Sequence, residues 1–263
     1  MKSGFMSSVC PKQTLQQLTA SAQQYGYTGI EFRVEWGHGH GVELDASSAD
    51  LQNARRHLAD AGIDASCVAT SVKFNTNDPL DHESHQETLR RYIPLAAEIG
   101  APCIRTFSDP LPEENEEARN EILKRAADSY AAVNDLAAEH DIRVLVETHT
   151  NMRAHWAMQV LELAQASHLQ VLWDPGHHVR RGQSVDEAHG HLQGSVAHLH
   201  FGTAGPGEGS MSEEEHARVV ELLNADGFEG YFSVEVINPD DSDAVLAYNS
   251  RQFEKYLEAA RGK

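Results

Sequence analysis

Residues 143–149 read Arg-Val-Leu-Val-Glu-Thr-His, and residues 170–177 read Gln-Val-Leu-Trp-Asp-Pro-Gly-His. Each stretch is a short apolar run that ends on an acidic side chain. Near-continuous apolar runs rich in branched and aromatic residues predict strands that are covered on both faces, as in a parallel sheet. The two stretches therefore indicate a sheet whose polar residues collect where its strands end.

The same pattern recurs along the whole chain, and a helical pattern follows each apolar run. Helix starts are predicted at Pro11, Ser47 and Ser212, because these residue types favour the first turn. We predict eight strands, at Gly4–Val9, Gly29–Val34, Ala65–Ala69, Cys103–Phe107, Arg143–Glu147, Gln170–Asp174, Ser195–His200 and Tyr231–Val236. Eight strand-helix units without a linker predict an α/β fold, a (β/α)8 TIM barrel, with residues 1–263 as a single domain.

The composition of the chain indicates which kinds of partner the protein is not expected to bind. The chain carries 21 basic and 40 acidic side chains, a formal net charge of −19 with histidine neutral. Such a surface repels phosphate backbones, so we expect no nucleic-acid partner. No apolar run approaches the roughly 18 residues of a membrane span, and no secretory signal is visible, so we expect no membrane association. Three cysteines without a Cys-x-x-Cys pair predict reduced thiols and a cytoplasmic location.

The last four predicted strands each end on a residue that can bind a metal. These residues are Glu147, Asp174, His200 and Glu235, spaced by about one strand-helix unit. The carboxyl ends of barrel strands carry the chemistry in this architecture. Three carboxylates and one imidazole suit one divalent ion, Mn²⁺ first, with Mg²⁺, Co²⁺ or Zn²⁺ as alternatives. One such residue alone would be read as a helix cap or a solvated loop residue, so the prediction depends on all four.

Other polar side chains follow the same strands and are candidates for substrate contacts. Arg33 could instead form a buried salt-bridge ladder with Glu31 and Glu35. His198 could be a hydrogen-bonded core residue, and Glu208 could be an ordinary loop residue. The candidates are His149, His177, Arg33, Arg105, His198 and Glu208.

Together these motifs resemble the xylose-isomerase-like TIM-barrel superfamily, the sugar phosphate isomerase/epimerase group, over essentially the whole chain. The segments that carry the resemblance are residues 27–33, 146–149, 173–177, 198–201, 207–209 and 227–235. The resemblance implies that the four strand-end residues bind one divalent cation. It also implies that Glu147 and Glu235 act as the catalytic acid/base pair, that His177 contacts a substrate oxygen, and that the protein is a homodimer.

The implied activity is that of an isomerase or epimerase of a small sugar or polyhydroxylated keto compound. Its chemistry would be proton abstraction next to a metal-bound carbonyl, through an enediolate. Two features depart from the ketose 3-epimerases. No arginine follows His200 closely, and Glu-Thr-His at 147–149 looks more like dehydratase members.

A metal-dependent dehydratase or lyase on a keto-polyol or cyclic keto acid is therefore the alternative, with His149 or His177 as acid or base. A sugar-binding barrel without catalysis is a further alternative. Metal-dependent apurinic-site endonucleases resemble the chain in their strand-end ligands, but the net charge of −19 argues against a DNA substrate.

Overall fold

Parallel strands form a closed barrel in the computed structural model, which describes residues 1–262. Over that range eight strands pair in chain order, and the last pairs with the first. They are β1 Lys2–Met6, β2 Gly29–Arg33, β3 Asp64–Lys73, β4 Cys103–Phe107, β5 Arg143–Glu147, β6 Leu169–Trp173, β7 Val196–Phe201 and β8 Tyr231–Val234. The predicted (β/α)8 TIM barrel is confirmed.

Helices connect the strands and cover the outside of the barrel. The α-helices within residues 1–262 are α1 Leu15–Tyr25, α2 Ser48–Ala61, α3 Pro79–Ile99, α4 Glu116–Ala131, α5 Asn134–Glu139, α6 Ala154–Ala164, α7 Pro175–Arg180, α8 Val185–Leu192, α9 Glu213–Ala225 and α10 Ser242–Arg261. A 3-10 helix at Ser7–Val9 replaces the second half of the predicted strand Gly4–Val9. No helix in this part of the chain is long and apolar enough to cross a membrane.

The start of the first helix differs from the prediction. Ser47 and Ser212 cap α2 and α9 as expected. Pro11, however, does not open α1, which begins directly after Thr14. The Thr14 hydroxyl accepts a hydrogen bond from the Gln17 N–H, and the Gln17 side chain accepts one from the Thr14 N–H. This reciprocal capping box satisfies two backbone donors, which a proline at position 11 cannot do.

Because side chains alternate between the two faces of each strand, the protein has two apolar regions. The larger core lies between the barrel and its helices. A smaller apolar cluster consists of Cys67, Cys103, Leu145, Leu172 and Ala197. Because successive side chains of a strand point to opposite faces, Leu145 and Glu147 share a face, with Leu145 two residues deeper. The small cluster therefore fills the barrel below the strand-end residues, which stand at its carboxyl-terminal mouth.

Candidate metal centre

The four predicted metal ligands meet at one point of the barrel mouth. Glu147 ends β5 and His200 lies near the end of β7, whereas Asp174 and Glu235 directly follow β6 and β8. Each offers one ligand atom, and these atoms all lie within 4.8 Å of one another. Neighbouring parallel strands end at the same edge of the barrel, and this brings together residues that are far apart in sequence.

His200 lies at the centre of this group. Its Nδ1 is 3.0 Å from Oε1 of Glu147 and 3.1 Å from Oε2 of Glu235. The His200 side chain is 1% exposed, whereas those of Asp174 and Glu235 are 15% and 21% exposed. The site therefore opens on the side of these two carboxylates. A cavity of about 180 Å³ lies there, lined by Asp174, His177, His200, Glu235 and parts of the loop after β7.

One oxygen of this group accepts no hydrogen bond. Oε2 of Glu147 is buried and accepts no hydrogen bond from the described residues. The guanidinium of Arg105 comes close, with Nε at 3.2 Å, but this nitrogen also lacks a hydrogen bond. A buried carboxylate oxygen without a donor is costly unless a cation satisfies it. The donor set and this oxygen together fit a divalent ion with a preference for oxygen ligands.

Charges in the group shift one another's pKa values. Burial favours neutral His200, but Glu235, Glu31 and Glu147 outweigh it and raise the pKa of His200 well above its usual value. Burial would also raise the pKa of Glu147, yet His200 and Arg105 lower it to about 2. For Asp174 burial prevails and raises the pKa. A protonated His200 therefore balances the carboxylates, and a metal bound there must displace that proton.

His177 lies in the wall of the cavity. Oδ1 of Asp174 accepts a hydrogen bond of 3.3 Å from the His177 N–H and thereby caps α7. The His177 ring lies with Nε2 at 3.6 Å from Oδ2 of Asp174 and Nδ1 at 3.4 Å from Nη1 of Arg180. Its side chain thus lies beside the four candidate ligands, in the wall of the cavity.

His149 is held by a carboxylate that the sequence reasoning missed. Its Nδ1 lies 2.9 Å from Oδ2 of Asp109, which follows β4. The ring centre of His149 lies 4.7 Å from that of His177. Asp109 could have been found by the rule that found the ligands, since it too is an acidic residue just beyond an apolar strand.

The two arginine candidates are mostly engaged with the barrel itself. Nη1 of Arg33 donates to the carbonyl of Ala69 at 3.0 Å, and Nη2 donates to Oγ of Ser71 at 2.6 Å. Glu35 lies 3.8 Å from Nη1 of Arg33, so these two residues form the ion pair that the alternative interpretation allowed, whereas Glu31 contacts His198 and His200 instead. Nη1 of Arg105 donates to the carbonyl of Thr70 at 3.0 Å, and its Nε faces Glu147.

The remaining two candidates lie away from the cavity wall. His198 is buried, and its Nε2 lies 3.0 Å from Oε2 of Glu31. Glu208 is exposed in the loop after β7 and lines an adjoining cavity of about 90 Å³, not the one beside the four ligands. The contact of Glu31 with His198 was not expected from sequence. In the sequence, the only sign of this contact is a carboxylate in the middle of a strand that is predicted to be buried.

Comparisons with known proteins agree with this fold. The family model described as "Xylose isomerase-like TIM barrel" matches residues 19–257. No match was found among curated proteins. An L-ribulose 3-epimerase structure superposes with a TM-score of 0.81 at 17% identity, covering 99% of this chain and 96% of that chain.

Two other solved structures, a probable dehydratase and a protein with a bound zinc atom, are also similar to this chain. The probable 3-DHS dehydratase AsbF from Bacillus anthracis has a TM-score of 0.76 at 17% identity, covering 97% of this chain and 99% of that one. The IolI protein with a bound zinc atom has a TM-score of 0.75 at 17% identity, covering 99% of this chain and 98% of that chain. At these identities the structures show a shared fold, and the family match spans nearly the whole sequence. The chain belongs to the xylose isomerase-like TIM barrel family.

Proposed function

We propose that the protein is a divalent-metal-dependent isomerase or epimerase of a small sugar or polyhydroxylated keto compound. The observation that carries the proposal is the convergence of four ligand atoms within 4.8 Å at the barrel mouth, beside a cavity. The similarity to sugar epimerases of the same fold supports it. The cavity of about 180 Å³ is below the roughly 300–1,000 Å³ of sites for drug-sized ligands, which favours a compact substrate.

Glu147, Asp174, Glu235 and Nδ1 of His200 would hold the ion. When bound, a divalent cation supplies Lewis acidity that makes a C–H group next to a carbonyl more acidic. Mn²⁺ is the expected ion because three of the four ligands are hard oxygens, and the zinc in IolI keeps Zn²⁺ as an alternative.

In this proposal, two carboxylates from opposite sides of β7 would move the proton. Glu147 comes from β5 and Glu235 follows β8, and both lie within about 3 Å of the same nitrogen of His200. The neighbouring charges of His200 and Arg105 favour the ionised form of Glu147, which is the form that can accept a proton. One carboxylate removes the proton, and the other returns it. Return on the opposite face of the same carbon gives an epimer, whereas return to the neighbouring carbon gives an isomer.

A dehydratase is a second candidate, favoured by the contact between Asp109 and His149. In this reaction a carboxylate takes the proton from carbon, and the hydroxyl on the next carbon leaves with a proton from an acid. A carbon–carbon double bond forms, and water is released. His149 is available as that acid because it stands at the mouth, held by Asp109 at 2.9 Å. The similarity to AsbF supports this candidate.

A proton-exchange screen in heavy water tests the proposal. Purified protein, freed of metal by a chelator, is incubated with ketoses and inososes with and without Mn²⁺, and deuterium incorporation is followed by NMR. We expect incorporation into at least one compound only with the metal. Water loss appears in the same spectra and would favour the dehydratase. Binding without exchange or elimination would make the protein a sugar-binding barrel, and equal exchange without metal would contradict the proposal.

A further inference from the structure

Glu31 bridges two histidines inside the barrel. Its Oε1 lies 3.2 Å from Nε2 of His200, and its Oε2 lies 3.0 Å from Nε2 of His198. The side chains of all three residues are at most 1% exposed. Glu31 lies in β2 and both histidines lie in β7, and these strands are not neighbours in the barrel. The bridge therefore crosses the interior and depends on the closed fold.

The chemistry of the bridge determines which nitrogen of His200 can bind an ion. An ionised carboxylate only accepts hydrogen bonds, so Nε2 of His200 must carry a hydrogen to donate to Glu31. In the neutral ring, the lone pair is then on Nδ1. This is the nitrogen that lies 3.0 Å and 3.1 Å from the carboxylates of Glu147 and Glu235.

Two irregularities of strand pairing lie beside these side chains, with the extra residue at Ser66 of β3 and at Ala197 of β7. The pairing of β2 with β3 shifts register between Ile30 and Glu31, and the pairing of β6 with β7 shifts just before His198. Such irregularities re-aim a side chain and occur often next to functional sites. Because each oxygen of Glu31 contacts a different imidazole, the carboxylate cannot turn without losing one of the two contacts.

We infer that Glu31 is a positioning residue of the candidate metal centre, which holds His200 by Nε2 and directs Nδ1 toward the ion. His198 secures the other oxygen of Glu31. The inference rests on the proposed function, because it takes Glu147, Asp174, His200 and Glu235 as the ligands. Partners that orient a metal-binding histidine typically change metal affinity about 10- to 100-fold when they are mutated.

A competing arrangement uses Glu31 as a ligand. Ligand atoms of Glu31, Cys67 and His198 also lie within 4.8 Å of one another and could hold a second ion. Against this, both oxygens of Glu31 have imidazole partners, whereas Oε2 of Glu147 in the proposed centre accepts no hydrogen bond from the described residues. Burial also raises the pKa of the Cys67 thiol well above its usual value, which disfavours the thiolate that a metal needs. Cys67 therefore offers a control that separates the two arrangements.

The test compares Glu31→Gln with Cys67→Ala by calorimetric titration of metal-free protein with Mn²⁺. A glutamine can accept from one imidazole through its oxygen, but its amide group meets the N–H of the other. We expect one ion per chain in all proteins, a dissociation constant about 10- to 100-fold higher for Glu31→Gln, and less than about a 3-fold change for Cys67→Ala. If Glu31→Gln does not fold, Glu31→Asp keeps the charge but shortens the reach and serves instead.

A spectroscopic measurement tests orientation directly. With Co²⁺ bound, the proposed centre has one histidine ligand, so one exchangeable N–H signal should be strongly shifted by the paramagnetic ion. That signal would be Nε2–H of His200. Buried against Glu31, it should exchange slowly with solvent, and it should exchange faster or disappear in Glu31→Gln. A merely structural role of Glu31 would leave this signal unchanged.

The outcomes separate the two proposals. A wild-type protein that binds no divalent ion would overturn both. Single-ion binding with the same affinity and the same N–H signal in Glu31→Gln would overturn the positioning role and leave the proposed function standing. Two ions in the wild type, reduced to one in both Glu31→Gln and Cys67→Ala, would make Glu31 a ligand and also overturn that role.

Discussion

Asp109 orients His149 at the mouth of the barrel. Its Oδ2 lies 2.9 Å from Nδ1 of His149, and the Asp109 side chain is 1% exposed whereas that of His149 is 36% exposed. Because the carboxylate accepts, Nδ1 carries the hydrogen, and Nε2 is left to exchange a proton. A buried anion thus fixes a half-open imidazole, an arrangement suited to general acid or base catalysis.

Asp109→Asn should separate the two candidate activities. If the protein eliminates water, the rate of water loss should fall about 100-fold, because the acid is no longer held in one tautomer and orientation. Proton exchange at carbon should change less than about 3-fold, since carboxylates perform that step. Both rates can be measured in one deuterium-exchange experiment.

Ser108→Ala is the matched control for this variant. Ser108 is buried next to Asp109, and its hydroxyl contacts Tyr130, with no contact to His149. The Ser108→Ala variant should leave the rates of water loss and of proton exchange nearly unchanged. An equal loss of exchange and elimination in Asp109→Asn would show that His149 does more than assist the leaving group.

Glu147→Gln should abolish proton exchange, with a fall of at least about 100-fold, because it removes a proposed base and an ion ligand while keeping the shape of the side chain. Far-UV circular dichroism should show the same fold, since Glu147 lies at a strand end. Glu113→Gln is the control, a half-exposed carboxylate that pairs with Arg181 at 2.7 Å. Exchange at the wild-type rate in Glu147→Gln would remove the acid/base assignment.

Mn²⁺ should stabilise the folded protein. Ion binding to the native state at 100 times the dissociation constant adds about 2.7 kcal/mol to the free energy of unfolding. Asp174→Asn should lose most of this gain because one ligand charge is removed. Urea unfolding with Mn²⁺ and with a chelator measures the effect. An equal gain in Asp174→Asn would mean that the ion binds elsewhere.

Acid should destabilise the fold through His40. Nδ1 of His40 accepts from the Val42 N–H at 2.9 Å, and Nε2 donates to the carbonyl of Arg33 at 3.1 Å, so the buried ring is neutral. Burial lowers the pKa of His40 from 6.5 to about 4. The neutral ring therefore contributes fully to the free energy of unfolding above pH 6.5, and this contribution declines as the pH falls from 6.5 to 4. The loss amounts to about 3 kcal/mol at most.

His40→Asn tests this pH dependence, since asparagine can accept from Val42 but does not titrate. The free energy of unfolding of each protein is measured by urea titration between pH 7 and pH 4. The wild-type value should fall more steeply than that of the variant over this interval. Parallel curves would show that His40 does not contribute to acid sensitivity.

Much of the fold could be predicted because its signals are local. Apolar runs, helical periodicity and capping residues act over a few neighbours, so strands β4 and β5 were predicted to the residue. The start of α1 was missed because Thr14 and Gln17 cap each other, a pairing that competes with the signal from Pro11. The strand-end residues were visible as candidates because each interrupts an apolar run.

By itself, the sequence determined the number and order of the strands and, to within a few residues, where each one lies, because hydrophobic periodicity and turn chemistry depend on neighbouring residues. Only the tertiary structure decided which polar groups touch. Glu31 meets His200 across the barrel, Asp109 meets His149 between two strand ends, and Glu208 stays apart. These contacts depend on strand register and barrel closure, which place side chains within hydrogen-bond distance although up to 169 positions separate them along the chain.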